Sequence, residues 1–301
     1  MSTAIGRPVG TSDPAPAPPG VDALLPTAMA RKAEEVGVAK ATMPTLRLFV
    51  LAVLGGAFIA FGAGFATVAT TDAAASIGVG PTRVLGGLVF SVGLVLVVVA
   101  GAELFTGNNL QVMALVAGRI SPRAMLRSWG IVYAGNLVGA VGTAWLVYAA
   151  QQHELAGGAV GRQALDTALA KSTLDPAAAV ARGVLANVLV CLAVWLCMSA
   201  RSVTDKILAI SLPVSAFVAG GFEHSIANMY FLPVGLLIKD GAPDSFWASA
   251  GAEAAAYEEL TWSSALVDNI LPVTIGNIIG GAVLVGLVYA FVYRSPGGEE
   301  A

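Results

Sequence analysis

The stretch Gly220–Asn228, with the sequence GGFEHSIAN, interrupts an apolar run that extends from Ile207 to Ile238. As one straight helix that run would be about 48 Å long, whereas the hydrocarbon core of a bilayer is only about 30 Å thick. Adjacent glycines allow the backbone to leave helical geometry. Non-helical backbone persists at membrane depth only where it is buried in protein or lines a water-filled path. The stretch therefore predicts a broken transmembrane helix at a pore.

Within this stretch, His224 is the candidate functional group. An ionisable side chain inside a membrane is costly unless it faces a cavity or a partner, so Glu223 and His224 together mark a site. Since the unperturbed pKa of histidine is about 6.5, an imidazole can hold or pass a proton at physiological pH. The other histidine of the chain, His153, falls in a predicted outer loop and is expected to be incidental.

Composition places the whole chain among membrane proteins. Of its 301 residues, 56% are hydrophobic and 12% are charged, and the mean hydropathy is +0.78. This pattern excludes a soluble enzyme, and the net charge of −3 gives no reason to expect a nucleic-acid partner. Residues 1–21 contain no apolar core of a signal peptide and are expected to form a disordered tail. Cys191 and Cys197 fall within one predicted span and are expected to be packing residues.

Six apolar segments predict six membrane spans, at residues 46–70, 84–117, 126–148, 178–200, 207–238 and 270–293. The second is also too long for one crossing, and its polar interruption at Gly101–Asn109 predicts another broken helix. Residues 22–42 predict a cytoplasmic amphipathic helix, which either lies on the membrane surface or gates the pore. The channel domain is expected over residues 43–295, followed by a short tail at 296–301.

The two halves of the chain share motifs, as in an inverted repeat. Glu103 and Asn108 lie five residues apart in the first break, and Glu223 and Asn228 lie five apart in the second. The span after each break carries Gly-Asn-x-x-Gly, at 135–139 and 276–280. Because each half has three spans, the halves insert with opposite orientations, and the breaks are expected to meet near the midplane. Lys and Arg are concentrated on the side of the N-terminus, which predicts that both termini are cytoplasmic.

The groups at the breaks fit a small monovalent anion. Thr106 offers a hydroxyl, and the half-helix N-termini that follow Glu103 and Glu223 attract anions. A bare carboxylate in an apolar constriction faces a barrier of many kcal/mol, which protonation at His224 would lower. The expected apolar walls are Phe90, Leu94, Leu104, Phe105, Val190 and Phe217.

Four motifs resemble the formate/nitrite transporter family: GFEHSIANM at 221–229, AELFTG at 102–107, ANVLVCLAVW at 186–195 and DNILPVTIGN at 268–277. In addition, LLPTAMA at 24–30 is similar to the start of its formate channels. The likeness extends over about residues 22–294. It implies an all-α polytopic protein of a bacterial inner membrane with an aquaporin-like fold of six transmembrane helices. It further implies broken second and fifth helices and a homopentamer with one pore per subunit.

The resemblance also implies roles for individual residues. His224 would be the central pore histidine and Thr106 its partner, while Glu223 and Asn187 would orient the imidazole. It further implies that Phe90, Leu94, Val190 and Phe217 line the constrictions and that two lysines concentrate anions, Lys171 outside and Lys40 inside. Asn228, in the second break, is a further candidate pore residue.

Formate, with proton symport as one possible mode, is the expected substrate. Glu103 stands where near formate-channel relatives have Asp and nitrite members have Glu, so nitrite and hydrosulfide remain alternatives. The sequence contains no Asn-Pro-Ala pair typical of aquaporins, and neither His-Glu-x-x-His nor Gly-x-Ser-x-Gly, so an intramembrane enzyme is not expected. No cofactor and no metal are expected.

Overall fold

The computed structural model describes residues 23–293, so the predicted tails at 1–21 and 296–301 lie outside the described residues. The regular structure in the described part is helical. Its helices are α1 Pro26–Ala41, α2 Thr45–Thr70, α3 Ala73–Ile77, α4 Val79–Gly101, α5 Phe105–Asn108, α6 Val112–Val116, α7 Pro122–Ala149, α8 Ala159–Ser172, α9 Pro176–Ser199, α10 Val203–Ala219, α11 Ser225–Gly241, α12 Asp244–Ala250 and α13 Ser264–Tyr293.

Local sequence explains where two of the long helices begin. Ser121 precedes α7, and its Oγ accepts a hydrogen bond from the Ala124 N–H at 3.2 Å. Asp175 precedes α9 in the same way, and its Oδ1 accepts from the Ala178 N–H at 3.0 Å. Each cap is followed by a proline at the first helical position, where its fixed φ and missing N–H cost nothing.

Five helices of the described part are long and apolar enough to cross a membrane, namely α2, α4, α7, α9 and α13. The remaining crossing is broken as predicted: α10 and α11 have 17 residues each and are separated by residues 220–224. The second span is also broken, since α4 is followed by extended residues and the short α5. The last span begins at Ser264 rather than at the predicted residue 270. The polar Asn269, which interrupts the apolar pattern, is buried there with hydrogen-bond partners.

The two breaks have the same backbone geometry. Gly101 and Gly221 adopt φ of +87° and +69°, values that side-chain-bearing residues rarely reach. In both breaks, the N–H of the residue after the glycine donates a hydrogen bond to a carbonyl in the last turn of the preceding helix. The Ala102 N–H donates to the Val97 carbonyl at 2.9 Å, and the Phe222 N–H donates to that of Phe217 at 3.0 Å.

The Gly-Asn-x-x-Gly motifs bring helices together within each half. An alanine Cβ at Gly139 of α7 would overlap the Val53 carbonyl of α2. In the other half, a Cβ at Gly280 of α13 would overlap the Val184 carbonyl of α9. Small residues at such crossings allow close helix packing in membranes. The repeated motif therefore makes matching helix contacts in the two halves of the structure.

Helix α1 packs against protein through its apolar side, which includes the buried Met29 and Ala33. Lys32 Nζ donates to the carbonyl of Met198 at the end of α9 at 2.8 Å. Ser199 Oγ donates to the Leu24 carbonyl just before α1 at 2.9 Å. The helix thus lies over one end of the helical bundle, while α8 packs on α11 at the other end.

Candidate functional site

The two breaks meet at Thr106 and His224. Oγ1 of Thr106 lies 2.8 Å from Nε2 of His224. Thr106 has no exposed surface and His224 is 3% exposed. The ring of Phe217 lies nearly parallel to the imidazole with the centroids 6.0 Å apart, and Phe90 meets Phe217 edge-on at 5.6 Å. The predicted histidine–threonine pair is therefore in direct contact inside the protein.

The hydrogen bonds of His224 assign its tautomer. His224 is the N-cap of α11, and its Nδ1 accepts from the Ala227 N–H at 3.1 Å. Because Nδ1 is the acceptor, the proton of the neutral ring lies on Nε2, which donates to the Thr106 hydroxyl oxygen. The Thr106 hydroxyl hydrogen is then free to point toward an anion. An imidazolium would require Nδ1–H and the release of the Ala227 contact.

Two asparagines of the repeated motif hold the breaks in place. Asn136 Nδ2 donates to the carbonyl of Glu103 at 2.9 Å, and its Oδ1 accepts from the Phe105 N–H at 2.9 Å. Asn277 Nδ2 donates to the carbonyl of Glu223 at 3.0 Å, and its Oδ1 accepts from the Ser225 N–H at 2.9 Å. The sequence showed these asparagines as a repeat but not their function. The structure makes each a clamp across the non-helical residues.

These clamps change one expectation about anion binding. The half-helix N-termini were expected to offer free N–H groups, but those of Phe105, Ser225 and Ala227 already donate to side chains. Fewer backbone donors therefore remain for an anion than the sequence implies.

The first break contains a buried carboxylate paired with a lysine. Lys40 Nζ on α1 donates to Glu103 Oε2 at 2.9 Å and to Asn108 Oδ1 at 2.8 Å. Asn108 Nδ2 also donates to Glu103 Oε2 at 2.8 Å. The side chain of Glu103 is 8% exposed, so its charge is balanced mainly by these contacts.

The second break repeats this arrangement with α8 in the place of α1. Lys171 Nζ donates to both carboxylate oxygens of Glu223 at 2.9 Å, and Asn228 Nδ2 donates to Glu223 Oε2 at 2.6 Å. Asn269 supports the cluster by accepting from Asn228 at 2.6 Å and donating to the Lys171 carbonyl at 2.9 Å. Neither vestibule lysine is a free charge, a pairing that the sequence does not reveal.

Asn187 and Glu223 make no direct hydrogen bond to the imidazole in the described structure, and the orienting role expected for them stays a prediction. Asn187 Nδ2 donates to the carbonyls of Thr106 at 3.3 Å and Asn277 at 2.6 Å, and to Asn109 Oδ1 at 2.7 Å. Asn187 thus ties the backbone of Thr106 to α13. The orientation of the ring comes from its own N-cap contact and from the Thr106 hydroxyl.

Two cavities approach the pair from opposite ends. The α1 cavity, of about 550 Å³, is lined by α1 and the first break, including Lys40, Glu103, Leu94 and Leu104. The α8 cavity, of about 390 Å³, is lined by α8 and the second break. Its lining includes Phe90, Phe217, His224, Lys171, Glu223 and Asn228. The predicted walls thus divide between the two ends, with the leucines on one side and the phenylalanines on the other.

Two of the predicted wall residues lie elsewhere. Phe105 is absent from the described linings of both cavities, and its ring packs edge-on against Tyr133 at 5.0 Å and Trp129 at 5.9 Å. Phe105 therefore packs from α5 against α7, where Asn136 also accepts a hydrogen bond from its N–H. Val190 is buried in the hydrophobic core and lines neither cavity in the described chain.

His153 is a buried packing residue rather than a solvated loop residue. It is 5% exposed, stacks on Tyr148 with the centroids 5.0 Å apart and meets Phe246 at 5.3 Å. Burial lowers the pKa of His153, and the neighbouring Glu154 opposes this effect. The contact with Phe246 could not be read from the sequence, because that ring comes from a distant segment of the chain.

Comparison with known proteins gives consistent matches. A family model described as "Formate/nitrite transporter" matches residues 27–291. The chain is 46% identical over 272 residues to the formate channel FocA of Escherichia coli strain K12, covering 90% of this chain and 95% of that protein. It is 37% identical to the formate channel FocA of Haemophilus influenzae, covering 91% and 96%. A solved structure described as a pentameric formate channel with formate bound matches with a TM-score of 0.79 and 43% identity, covering 83% of this chain and 98% of that one.

Proposed function

The chain belongs to the formate/nitrite transporter family, and we propose that it is a formate channel whose pathway passes Thr106 and His224. It is a multi-pass membrane transporter and not an enzyme. The observation that carries the proposal is the position of one polar contact between two cavities. The Thr106–His224 pair is buried, and the α1 cavity and the α8 cavity approach it from opposite ends.

The walls of this pathway favour a small anion that can become neutral. Leu94 and Leu104 on one side and Phe90 and Phe217 on the other are each less than 5% exposed. A charged carboxylate loses its hydration at such a constriction, whereas formic acid does not carry this cost. Protonation at the polar contact would therefore lower the barrier.

In the proposed relay, an imidazolium at His224 gives its proton to the formate oxygen, and neutral formic acid crosses the apolar side. Beyond it the acid releases the proton to water, and the neutral imidazole takes up another from the side of entry. The imidazolium needs Nδ1–H, so each cycle releases the N-cap contact with Ala227. Losing such a cap costs only about 1 kcal/mol, so the step is accessible.

We further propose a homopentamer in a bacterial inner membrane, with both termini and the α1 cavity on the cytoplasmic side. The pentameric relative with formate bound supports the assembly. The predominance of Lys and Arg on the α1 side, including Lys32, Arg47 and Lys206 around that cavity, supports the orientation. A monomeric mass by light scattering in several mild detergents would count against the pentamer.

Uptake into proteoliposomes tests the function. Formate, nitrite and hydrosulfide are offered separately at two pH values, and uptake is followed by stopped-flow light scattering. The proposal expects formate to enter faster than the other anions, and faster at the lower pH. Equal rates for liposomes with and without the protein, or uptake of nitrite or hydrosulfide but not formate, would contradict it.

A further inference from the structure

Lys171 is expected to attract anions into the α8 cavity only weakly, because a carboxylate neutralises its charge. Its ammonium group contacts both oxygens of Glu223 at 2.9 Å, and the side chains of the pair are 16% and 6% exposed. Two opposite charges so close together largely cancel, so the pair produces only a weak electric field at the entrance of the cavity. A cation that lines the cavity without a carboxylate partner would therefore attract an arriving anion more strongly than Lys171.

That cation is Arg83. It lines the α8 cavity together with Lys171, and Glu223 is the carboxylate among the described lining residues. The side chain of Arg83 is exposed, and the described part of the chain places no carboxylate within ion-pair distance of it. Its positive charge is thus not balanced by a protein group.

The guanidinium also lies beside the break that carries His224. Nη1 of Arg83 donates to the carbonyl of Ala219 at the end of α10 at 3.2 Å. It would lie 3.4 Å from a Cβ at Gly221, the residue with positive φ in this break. A guanidinium has five N–H donors, and this contact uses one of them. The others suit the two oxygens of a carboxylate, which arginine binds in a planar, two-pronged geometry.

We propose that Arg83 is the anion-capturing residue of the α8 cavity, in the role that the family resemblance implies for Lys171. The proposal rests on the proposed function, since it concerns how the transported anion is gathered. Arg83 acts as a free charge at the mouth, while Lys171 keeps the carboxylate of Glu223 in place. A merely structural role for Arg83 is the competing account, because it also binds the end of α10.

The variants Arg83→Gln and Arg83→Lys separate these accounts. Glutamine keeps a donor for the Ala219 carbonyl but removes the charge, whereas lysine keeps the charge. The matched control is Arg162→Gln, which removes a charge from α8 that pairs with Asp72 at 3.5 Å and does not line the cavity. Each variant is first shown to elute like the wild type on size-exclusion chromatography.

The measurement is the apparent KM for uptake at two ionic strengths adjusted with an impermeant salt. At about 0.01 M, where the Debye length is about 30 Å, the KM of Arg83→Gln should rise about threefold, as expected for one charge about 7 Å away in water. At about 1 M, where that length is about 3 Å, the difference should vanish. Arg83→Lys and Arg162→Gln should resemble the wild type, and the rate at saturation should not change.

The apparent KM is measured with whichever of formate, nitrite and hydrosulfide the wild type conducts. An unchanged KM for Arg83→Gln, or a loss that is equal at both ionic strengths and not restored by lysine, would overturn the capture role and leave the channel function standing. If a nitrite or hydrosulfide channel shows the salt-dependent effect, the capture role stands and the formate assignment fails. If the wild type conducts none of the three anions, both proposals fail.

Discussion

Thr106 Oγ1 and His224 Nε2 lie 2.8 Å apart although 118 residues separate them in the chain. This contact joins the two broken spans at the place where the two cavities approach each other. The surrounding asparagines fix the backbone on both sides, so the hydroxyl and the ring face each other in one geometry.

Thr106→Val should lower formate uptake about tenfold. The variant removes the partner of the buried Nε2–H, and an unsatisfied buried donor costs about 1–3 kcal/mol. Thr106→Ser, which retains the hydroxyl, should keep most of the rate. The control is Thr143→Val, since Thr143 is a buried threonine of α7 whose hydroxyl donates to the Gly139 carbonyl within its own helix. Uptake by Thr106→Val at the wild-type rate would show that the contact is not part of the pathway.

Lys171→Ala should destabilise the fold rather than merely slow anion capture. It leaves the carboxylate of Glu223 buried and without its cation, and breaking such a pair costs about 3–5 kcal/mol. Thermal unfolding in detergent should show a marked fall in Tm. Lys171→Ala combined with Glu223→Gln should recover part of it. Arg119→Ala serves as the control because its pair with Glu34 is more exposed. A wild-type Tm for the single Lys171 variant would show that the pair is not important for stability.

Gly139→Ala should prevent correct packing of α7 on α2. The added Cβ overlaps the Val53 carbonyl, a backbone atom that cannot move aside without shifting the helix, and overpacking costs about 1–3 kcal/mol or more. Gly142→Ala in the same helix is the matched control, since a Cβ there meets nothing within 4 Å. Yield and elution profile on size-exclusion chromatography measure the effect. Equal profiles for both variants would contradict the close approach.

His153, between α7 and α8, should make the stability of the fold depend on pH. Because burial lowers the pKa of His153, the unfolded chain binds a proton that the folded chain does not, so stability present above pH about 6.5 declines below it. The fall in Tm between pH about 7.5 and about 5.5 should be smaller in His153→Phe, which keeps a ring between Tyr148 and Phe246. An equal fall in both proteins would show that His153 does not contribute.

The architecture could be predicted from the sequence because a membrane-crossing helix needs an apolar segment of sufficient length and tolerates polar residues only at special positions. Apolar length, paired glycines and repeated Glu and Asn spacings indicated six spans, two breaks and an inverted repeat. The same pattern placed His224 at the second break, which the structure shows in contact with Thr106.

The sequence could not reveal the contacts between distant segments. The pairing of Lys171 with Glu223 depends on how α8 packs on α11, and the packing of Phe105 against α7 depends on how α5 meets that helix. The packing of Phe246 on His153 and the absence of a carboxylate beside Arg83 in the described chain have the same origin. Each requires knowledge of which side chains the fold brings together.

The central claim is that His224 passes a proton to the transported anion. His224→Asn tests it best, because asparagine is a favourable N-cap that can replace the contact to the Ala227 N–H but does not titrate near neutral pH. His224→Phe, which removes both the cap and the titration, serves as a second variant. It should lose proton coupling to the same extent and show less residual leak than the asparagine variant.

The decisive measurement is the accumulation of formate in proteoliposomes driven by an inward proton gradient, with elution as a pentamer confirmed for each protein. The wild type should concentrate formate, and His224→Asn should allow only a downhill leak that ends at equal concentrations inside and outside. If a correctly assembled His224→Asn still accumulates formate in response to the gradient, the proton relay through His224 is wrong.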